Sequence, residues 1–149
     1  MSDRTESPAD VVRALYDALS RGDVPGVLAR VAPDVIVDEP NRLPYGGVHR
    51  GREAFAESVL GGITAHADFS IDAADVFEGP AGVVGRLTGS LKARSTGEEY
   101  PLTVVEVHRV EDGLVHEIDV YIKNPERLAE FFAHAESGAP DHSGQSASS

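Results

Sequence analysis

The chain has 149 residues, a formal net charge of −12, 41% hydrophobic and 26% charged residues, and no cysteine. This length and composition predict one soluble globular domain, and the lack of cysteine excludes disulfides, thiolate metal sites and cysteine nucleophiles. The acidic balance argues against nucleic acid and membranes as partners, because phosphate binding needs a basic surface. The sequence also lacks an apolar run long enough to span a membrane and a signal-peptide core, so we expect a cytoplasmic protein.

Sequence motifs for metals, phosphates and serine nucleophiles are absent. The six histidines show no H-x-x-x-H pair or similar ligand spacing. Neither a glycine-rich phosphate loop nor a G-x-S-x-G elbow occurs. We therefore expect no metal and no cofactor.

The N-terminal third predicts two helices. Ser7 is a candidate N-cap with Pro8 at the first helical position, and the apolar residues from Val11 to Leu19 recur with helical spacing. Gly22 ends this helix, and Asp23 caps a second, shorter one. Residues 1–7 are expected to be disordered.

The middle of the chain predicts one strand, a loop and a third helix. The stretch 34–40 (DVIVDEP) is a short strand that ends at a proline. Residues 41–51 form a loop rich in proline and glycine, and residues 52–60 form a helix with Phe55 and Val59 on its apolar side.

The second half alternates with period two and predicts a meander of four strands before a last helix. The order α-α-β-α-β-β-β-β-α predicts an α+β fold, in which a curved antiparallel sheet with packed helices forms a cone around an apolar pocket. The polar stretch 137–149 is expected to be a disordered tail. The strands are predicted over 66–78, 82–95, 99–110 and 114–122, and the helix begins at 124–125.

The last two strands predict a hairpin whose register can be counted from its turn. Asp112-Gly113 suits a tight turn, since both central positions of a type I′ turn need positive φ. Counted outward, the pairs predicted on one face are Val110 with Val115, His108 with Glu117, Glu106 with Asp119, and Val104 with Tyr121.

Two alternatives follow for this acidic face. In the first, the opposite Val/Ile face packs on the helices and the carboxylates are solvated, as is common for antiparallel sheets. In the second, the carboxylates enter the pocket and the Val/Ile face becomes an interface. Glu106 and Asp119 would then share a proton, because two carboxylates in an apolar cavity resist ionising together.

Three stretches resemble the nuclear transport factor 2-like superfamily, which includes the ketosteroid isomerases and the SnoaL-like polyketide cyclases. They are VVRALYDALSRGDVPGVLARVAPDVIVDEP, HRGREAFAESV and VVEVHRVEDGLVHEIDVY. The resemblance implies a single domain over residues 8–136, a ligand pocket inside the cone, and a homodimer through the sheets.

The resemblance also implies roles for three acids. Glu39, before a proline, takes the place of the catalytic carboxylate of the isomerases. Glu106, three residues before an arginine, takes the place of their protonated carboxylic acid, and Asp119 that of the acid/base aspartate of the cyclases. The isomerases' oxyanion tyrosine would fall at Leu15, one residue before Tyr16, which makes a faithful ketosteroid isomerase doubtful on sequence.

The predicted function is cofactor-independent acid/base chemistry, an isomerisation or cyclisation, on a small apolar oxygenated molecule. Glu39 would abstract or relay a proton, while Glu106 and Asp119 would share one and act as general acid. Epoxide hydrolase or dehydratase activity is an alternative, as is a non-catalytic small-molecule-binding or dimerisation domain. The expected substrate contacts are Tyr16, Tyr45, His49, Phe55, Val59, Arg86, Val104, His108 and Tyr121.

Some of these side chains also have a purely structural explanation. Tyr16 fits core packing with a hydrogen-bonded hydroxyl, and Tyr45 and His49 fit exposed loop positions. Arg86 faces either the cone or water, and Glu39 alternatively accepts hydrogen bonds from the loop that follows it.

Overall fold

The protein, described here from a computed structural model over residues 6–138, folds as a curved, unclosed six-stranded sheet with packed helices. None of the helices in this range is long and apolar enough to cross a membrane. Residues 1–7 and 137–149 were expected to be disordered. Most of them, residues 1–5 and 139–149, lie outside the described residues. The strands are β1 (Val31–Glu39), β2 (Gly47–Arg50), β3 (Ala67–Gly79), β4 (Gly82–Ala93), β5 (Glu99–Glu111) and β6 (Leu114–Ile122).

The helices begin and end close to their predicted positions. A continuous helical stretch between β2 and β3 consists of α3, a π-helix and α4, so it runs beyond the predicted 52–60. The segments are α1 (Pro8–Ser20), α2 (Val24–Leu28), α3 (Arg52–Ala54), the π-helix (Phe55–Leu60), α4 (Gly61–Thr64) and α5 (Pro125–Ser137).

The strands are ordered β2-β1-β6-β5-β4-β3, which confirms the α+β class and the long meander. β1 pairs in parallel with β6, and the other neighbours are antiparallel. β2 was not predicted, because its four residues lie among glycines that are typical of a loop. It pairs with the end of β1, with Val37 opposite His49.

Helix α1 is fixed at its start by a capping box and along its length by buried apolar residues. The Ser7 hydroxyl accepts from the Asp10 amide at 3.1 Å, and the Asp10 carboxylate accepts from the Ser7 amide at 3.3 Å. Val11, Val12 and Leu15 are buried, and burial of such a side chain stabilises the fold by about 1.5–3 kcal/mol. This packing fixes the position of Tyr16 on the same helix.

The hairpin turn has the predicted geometry, but the register does not continue as predicted. Asp112 and Gly113 both have positive φ, 54° and 76°, as a type I′ turn requires. Val110 pairs with Val115 as expected. His116 is then an extra residue in β6, a β-bulge that shifts every later pair by one.

The predicted pairing of Glu106 with Asp119 is therefore wrong. Since side chains alternate along a strand, a shift of one residue moves the rest of β6 to the opposite face. The side chains of Glu106 and His108 face the helices, and Asp119 faces away from them. The predicted pairs of His108 with Glu117 and Val104 with Tyr121 are wrong for the same reason, and the observed pairs are Glu106 with Val120, His108 with Ile118, and Val104 with Ile122.

Candidate functional site

A cavity of about 310 Å³ lies between the inner face of the sheet, the end of α1 and the helical stretch 52–64. Three polar side chains that line it are buried or half-buried: Glu39, Tyr45 and Glu106. No lysine, arginine or histidine is among the described residues that line it. Its apolar wall includes Leu15, Leu19, Phe55, Val59, Leu87, Leu102, Val104, Ile118 and Val120.

Glu39 enters the cavity because it continues the buried alternation of β1. Val35 and Val37 are buried on the same face, as predicted, and the Glu39 side chain is only 6% exposed. Its Oε1 atom has no hydrogen-bond partner among residues 6–138. Burial, the charge of Glu106 and then that of Asp38 raise the pKa of Glu39 to about 8. Glu39 is therefore mostly protonated at pH 7.

Tyr45 lies in the turn between β1 and β2 and is buried against α5. Its ring contacts Phe132 edge to face at 5.5 Å between centroids. His49 does not line the cavity, but its Nε2 donates to the main-chain carbonyl of Tyr45 at 2.8 Å. Burial and then the charges of Glu39 and Glu106 raise the pKa of Tyr45, so its hydroxyl remains a hydrogen-bond donor.

Glu106 reaches the cavity from β5 and is held from behind by two buried side chains. The Tyr16 hydroxyl donates to Glu106 Oε1 at 2.8 Å, and His108 Nε2 lies 3.4 Å from the same oxygen. Neither Tyr16 nor His108 lines the cavity. Burial and the charge of Glu106 raise the pKa of Tyr16, so the phenol keeps its proton for this bond. The hydrogen bond orients the Glu106 carboxyl group, with Oε1 turned towards Tyr16.

Three predicted site residues lie on the outer face of the sheet. Asp119 is turned outward by the bulge and accepts a hydrogen bond at 2.7 Å from Tyr121, which is 56% exposed. Arg86 is exposed in β4. Its cross-strand neighbour is Val105, which pairs in turn with Tyr121, so these three side chains lie on the same face. These positions exclude Asp119, Tyr121 and Arg86 from direct contact with a molecule in the cavity.

The structure thus brings together part of the predicted site and adds an apolar wall. Glu39, Glu106, Tyr45, Phe55, Val59 and Val104 line the cavity, whereas Tyr16 and His108 support Glu106. The sequence prediction missed most of the wall, including Leu15 and Leu19 on α1 and Leu60 and Ile63 in the helical stretch. The helical spacing of Leu15 and Leu19 indicated a buried stripe, but a stripe packed on a core and one that lines a cavity look the same in sequence. Ile63 lies beyond the helix predicted over 52–60.

The π-helix contributes to the shape of this wall. It supplies Phe55, Ala56, Val59 and Leu60 to the cavity. Single π-helical turns inside helices are frequent at functional sites. The stretch is tied to the sheet by Arg52, whose guanidinium donates to the Val31 carbonyl at 2.7 and 3.0 Å. The apolar wall opposite the acids is thereby held in place.

The arrangement can bind an apolar molecule and exchange protons with it. Burial raises the pKa of the Glu39 carboxyl group, and the Glu106 carboxyl group accepts a hydrogen bond from Tyr16. With no cation in the lining, two ionised carboxylates would repel each other across an apolar space. No group of three or more His, Asp or Glu side chains within residues 6–138 could hold a metal ion.

Comparison with known proteins assigns the fold and the sequence to a family. The family model for the SnoaL-like domain matches residues 12–118, which is more than half of the chain. The protein therefore belongs to the SnoaL-like domain family of the nuclear transport factor 2-like superfamily. No curated protein matches the sequence significantly.

Solved structures share this architecture over nearly their full lengths. A nuclear transport factor 2-like protein of unknown function from Burkholderia pseudomallei is 28% identical, with a TM-score of 0.73 over 83% of this chain and 96% of that one. A proposed polyketide cyclase from Xanthomonas campestris is 25% identical, with a TM-score of 0.70 over 86% and 96%. TerC, co-crystallised with polyporic acid, is 20% identical, with a TM-score of 0.74 over 85% and 99%.

Proposed function

We propose that this protein is an enzyme that catalyses cofactor-independent proton transfer on a small, apolar, oxygenated molecule. One observation carries the proposal. Two carboxyl groups, Glu39 and Glu106, face the same apolar cavity in different surroundings: burial raises the pKa of Glu39, and Glu106 accepts a hydrogen bond from Tyr16. Carboxyl groups in contrasting surroundings within one site are typical of acid/base catalysis.

In this mechanism Glu106 is the general base and Glu39 the general acid. The Glu106 carboxylate takes a proton from the carbon next to a carbonyl group of the substrate. Glu39 donates its proton to the carbonyl oxygen, so an enol forms without a full charge in an apolar site. The Tyr45 hydroxyl can donate a hydrogen bond to the same oxygen. In an isomerisation Glu106 then delivers its proton to a different carbon of the enol, and the enol hydroxyl returns its proton to Glu39. In a cyclisation the enol carbon attacks a second carbonyl, whose oxygen takes the proton from Glu106, and the enol hydroxyl again returns its proton to Glu39.

These assignments differ from the sequence prediction in two respects. Glu39 was expected to abstract a proton, but burial raises its pKa to about 8 and makes it the donor at neutral pH. Asp119 was expected to share a proton with Glu106, but it lies on the outer face of the sheet. The acid/base pair is thus formed between β1 and β5.

The size and lining of the cavity and the family support this class of substrate. A cavity of about 310 Å³ lies at the lower end of the range for small-molecule sites. Its wall is mostly apolar and offers no cation, so it favours an uncharged molecule. Proteins of this fold include proposed polyketide cyclases and TerC, which was crystallised with polyporic acid. Ketone-bearing ring compounds are the natural first candidates.

Hydrogen–deuterium exchange of 2-tetralone, a small bicyclic ketone, tests the proposal without knowledge of the true substrate. In D₂O the base removes a proton next to the carbonyl and a deuteron replaces it, which ¹H NMR follows directly. We expect the protein to accelerate this exchange over buffer. Since general base catalysis contributes about 10²–10⁴-fold, Glu106→Gln should remove most of the acceleration, and Glu39→Gln should lower it while 2-tetralone still binds.

Asp119→Asn is the matched control, because it neutralises a carboxylate of the same sheet outside the cavity. We expect it to leave the exchange rate unchanged. Binding of 2-tetralone, measured by a thermal shift, accompanies each assay. Binding without any acceleration would contradict the enzyme and favour the alternative of a non-catalytic binding protein.

A further inference from the structure

His108 is the one fully buried histidine of the sheet, and its hydrogen bonds fix one of its protons. Its Nδ1 lies 3.0 Å from the main-chain carbonyl of Val83, and the residue is 0% exposed. A carbonyl oxygen only accepts hydrogen bonds, so Nδ1 carries a proton. The other ring nitrogen, Nε2, lies 3.4 Å from the Tyr16 hydroxyl and 3.4 Å from Glu106 Oε1.

The number of protons in this cluster follows from its donors and acceptors. Tyr16 has one hydroxyl proton, and the short bond of 2.8 Å directs it to Glu106 Oε1. If Nε2 had no proton and Glu106 were ionised, the single Tyr16 proton could serve only one of the two contacts of the Tyr16 oxygen, and lone pairs would face each other in the other contact. One further proton, on Nε2 or on the carboxyl group, removes this conflict.

We infer that His108 and Glu106 hold one proton between them, and that His108 is a positioning residue that compensates the charge of Glu106. With this proton on Nε2, Glu106 is a carboxylate paired with an imidazolium. Both contacts go to Oε1, so Oε2 is left for the cavity. The catalytic consequence rests on the proposed function, in which Glu106 is the base, but the shared proton does not.

Among residues 6–138, the side chains within hydrogen-bonding or ion-pairing distance of the His108 ring nitrogens are Tyr16 and Glu106. From α1 His108 is faced by Tyr16, from β4 by the Val83 carbonyl, and from β6 by Ile118, which is its cross-strand partner. On its own strand the charged neighbour is Glu106. Glu39 in β1 raises no further difficulty, because it is mostly protonated at pH 7.

The protein makes room for this cluster with a glycine. Gly85 in β4 pairs with Glu106, and a β-carbon at Gly85 would lie 1.9 Å from the Tyr16 hydroxyl. A glycine inside a strand often marks a close approach of another group. The Tyr16 hydroxyl can therefore reach Glu106 only because position 85 has no side chain.

NMR of protein labelled with ¹⁵N-histidine and ¹³C-glutamate carboxyl groups tests the inference on the whole chain. At pH 7 we expect both His108 ring nitrogens to have the shifts of protonated nitrogens, and the Glu106 carboxyl carbon the shift of an ionised group. His108→Asn, which keeps a donor for the Val83 carbonyl, and Glu106→Gln assign the signals. In Glu106→Gln the negative partner is gone, so Nε2 should move to the shift of an unprotonated nitrogen, whereas Asp119→Asn should not move it.

The possible outcomes separate this inference from the proposed function. A proton on Nε2 supports both. A proton on the Glu106 carboxyl group supports the shared proton but contradicts Glu106 as the base. An unprotonated Nε2 beside an ionised Glu106, or a protonated Nε2 whose shift does not respond to Glu106→Gln, would overturn the inference. A purely structural histidine would give that last result.

Discussion

Glu39 and Glu106 differ in what surrounds them rather than in their chemistry. Glu39 is buried, and one of its oxygens has no hydrogen-bond partner within residues 6–138, so its charged form is disfavoured. Glu106 accepts a hydrogen bond from Tyr16 and lies beside His108. The proposed acid and base are thus the same residue type in different surroundings.

The raised pKa of Glu39 predicts how stability depends on pH. The pKa is about 8 in the folded protein against a reference of 4.5, so between these values the folded state binds more protons than the unfolded state. The free energy of unfolding should therefore fall as pH rises from about 4.5 to about 8, by a few kcal/mol from this group. Glu39→Gln removes the titration and should stabilise the protein at pH 8.

Urea denaturation at several pH values measures this effect. Asp38→Asn is the control, because Asp38 is the exposed neighbour on the same strand, and it should retain most of the pH dependence. If the Glu39→Gln variant followed the same pH curve as the wild type, the raised pKa would be contradicted.

At the residue scale, the sequence predicted only some of the acidic side chains that enter the cavity and their contacts. Glu39 could be found because Val35, Val37 and Glu39 alternate on one strand, so burial of the valines implies burial of the acid. The Tyr16–Glu106 hydrogen bond joins residues 90 positions apart. No local signal in the sequence indicates such a contact.

At the scale of elements, the turn of the hairpin was predicted and the register of its second strand was not. The Asp-Gly turn was predicted because only a few residue pairs tolerate two positive φ values. The bulge at His116 was missed because counting outward from the turn assumes an unbroken register, although two adjacent polar residues separate the buried Val115 and Ile118. That one residue decides the face of Asp119. β2 was missed because its glycines suggested a loop.

The close approach of α1 to β4 predicts the effect of a single added methyl group. Gly85→Ala would bring a β-carbon to 1.9 Å from the Tyr16 hydroxyl, so the tyrosine must move away from Glu106. We expect a loss of about 1–3 kcal/mol in the free energy of unfolding, as for other overpacked cores. Chemical denaturation measures it.

Gly79→Ala is the matched control, since a β-carbon at the end of β3 meets no atom within 4 Å. It should change stability little. Equal stabilities of the two variants would contradict the tight contact between α1 and β4.

At the scale of the whole molecule, the outer face of the sheet carries an exposed apolar patch beside charged residues such as Arg86 and Asp119. Phe77, Val84 and Val107 are neighbours across three strands on this face, and Phe77 is 58% exposed. Tyr121, also exposed, lies on the same face. Exposed apolar surface of this kind often forms an interface. We expect this face to form the homodimer that the resemblance implied.

Sedimentation velocity tests this expectation. The wild type should sediment as a dimer, and Val84→Lys should shift it towards a monomer, because it would bury a charge between its apolar cross-strand neighbours Phe77 and Val107. Ala133→Lys, an exposed position on α5, adds the same charge elsewhere and should leave the dimer intact. A monomeric wild type would contradict the expectation.

The pH profile of 2-tetralone exchange tests the central claim most directly. The exchange itself depends on the proposed base Glu106, and the change of its rate with pH depends on the proton of the proposed acid Glu39. If Glu39 is the general acid, the catalysed rate at saturating ketone should fall above about pH 8, where Glu39 loses its proton. Glu39→Gln should remove this fall, and Asp119→Asn should retain it. A wild-type rate that continues to rise through pH 8 would contradict the division of the cavity into an acid and a base.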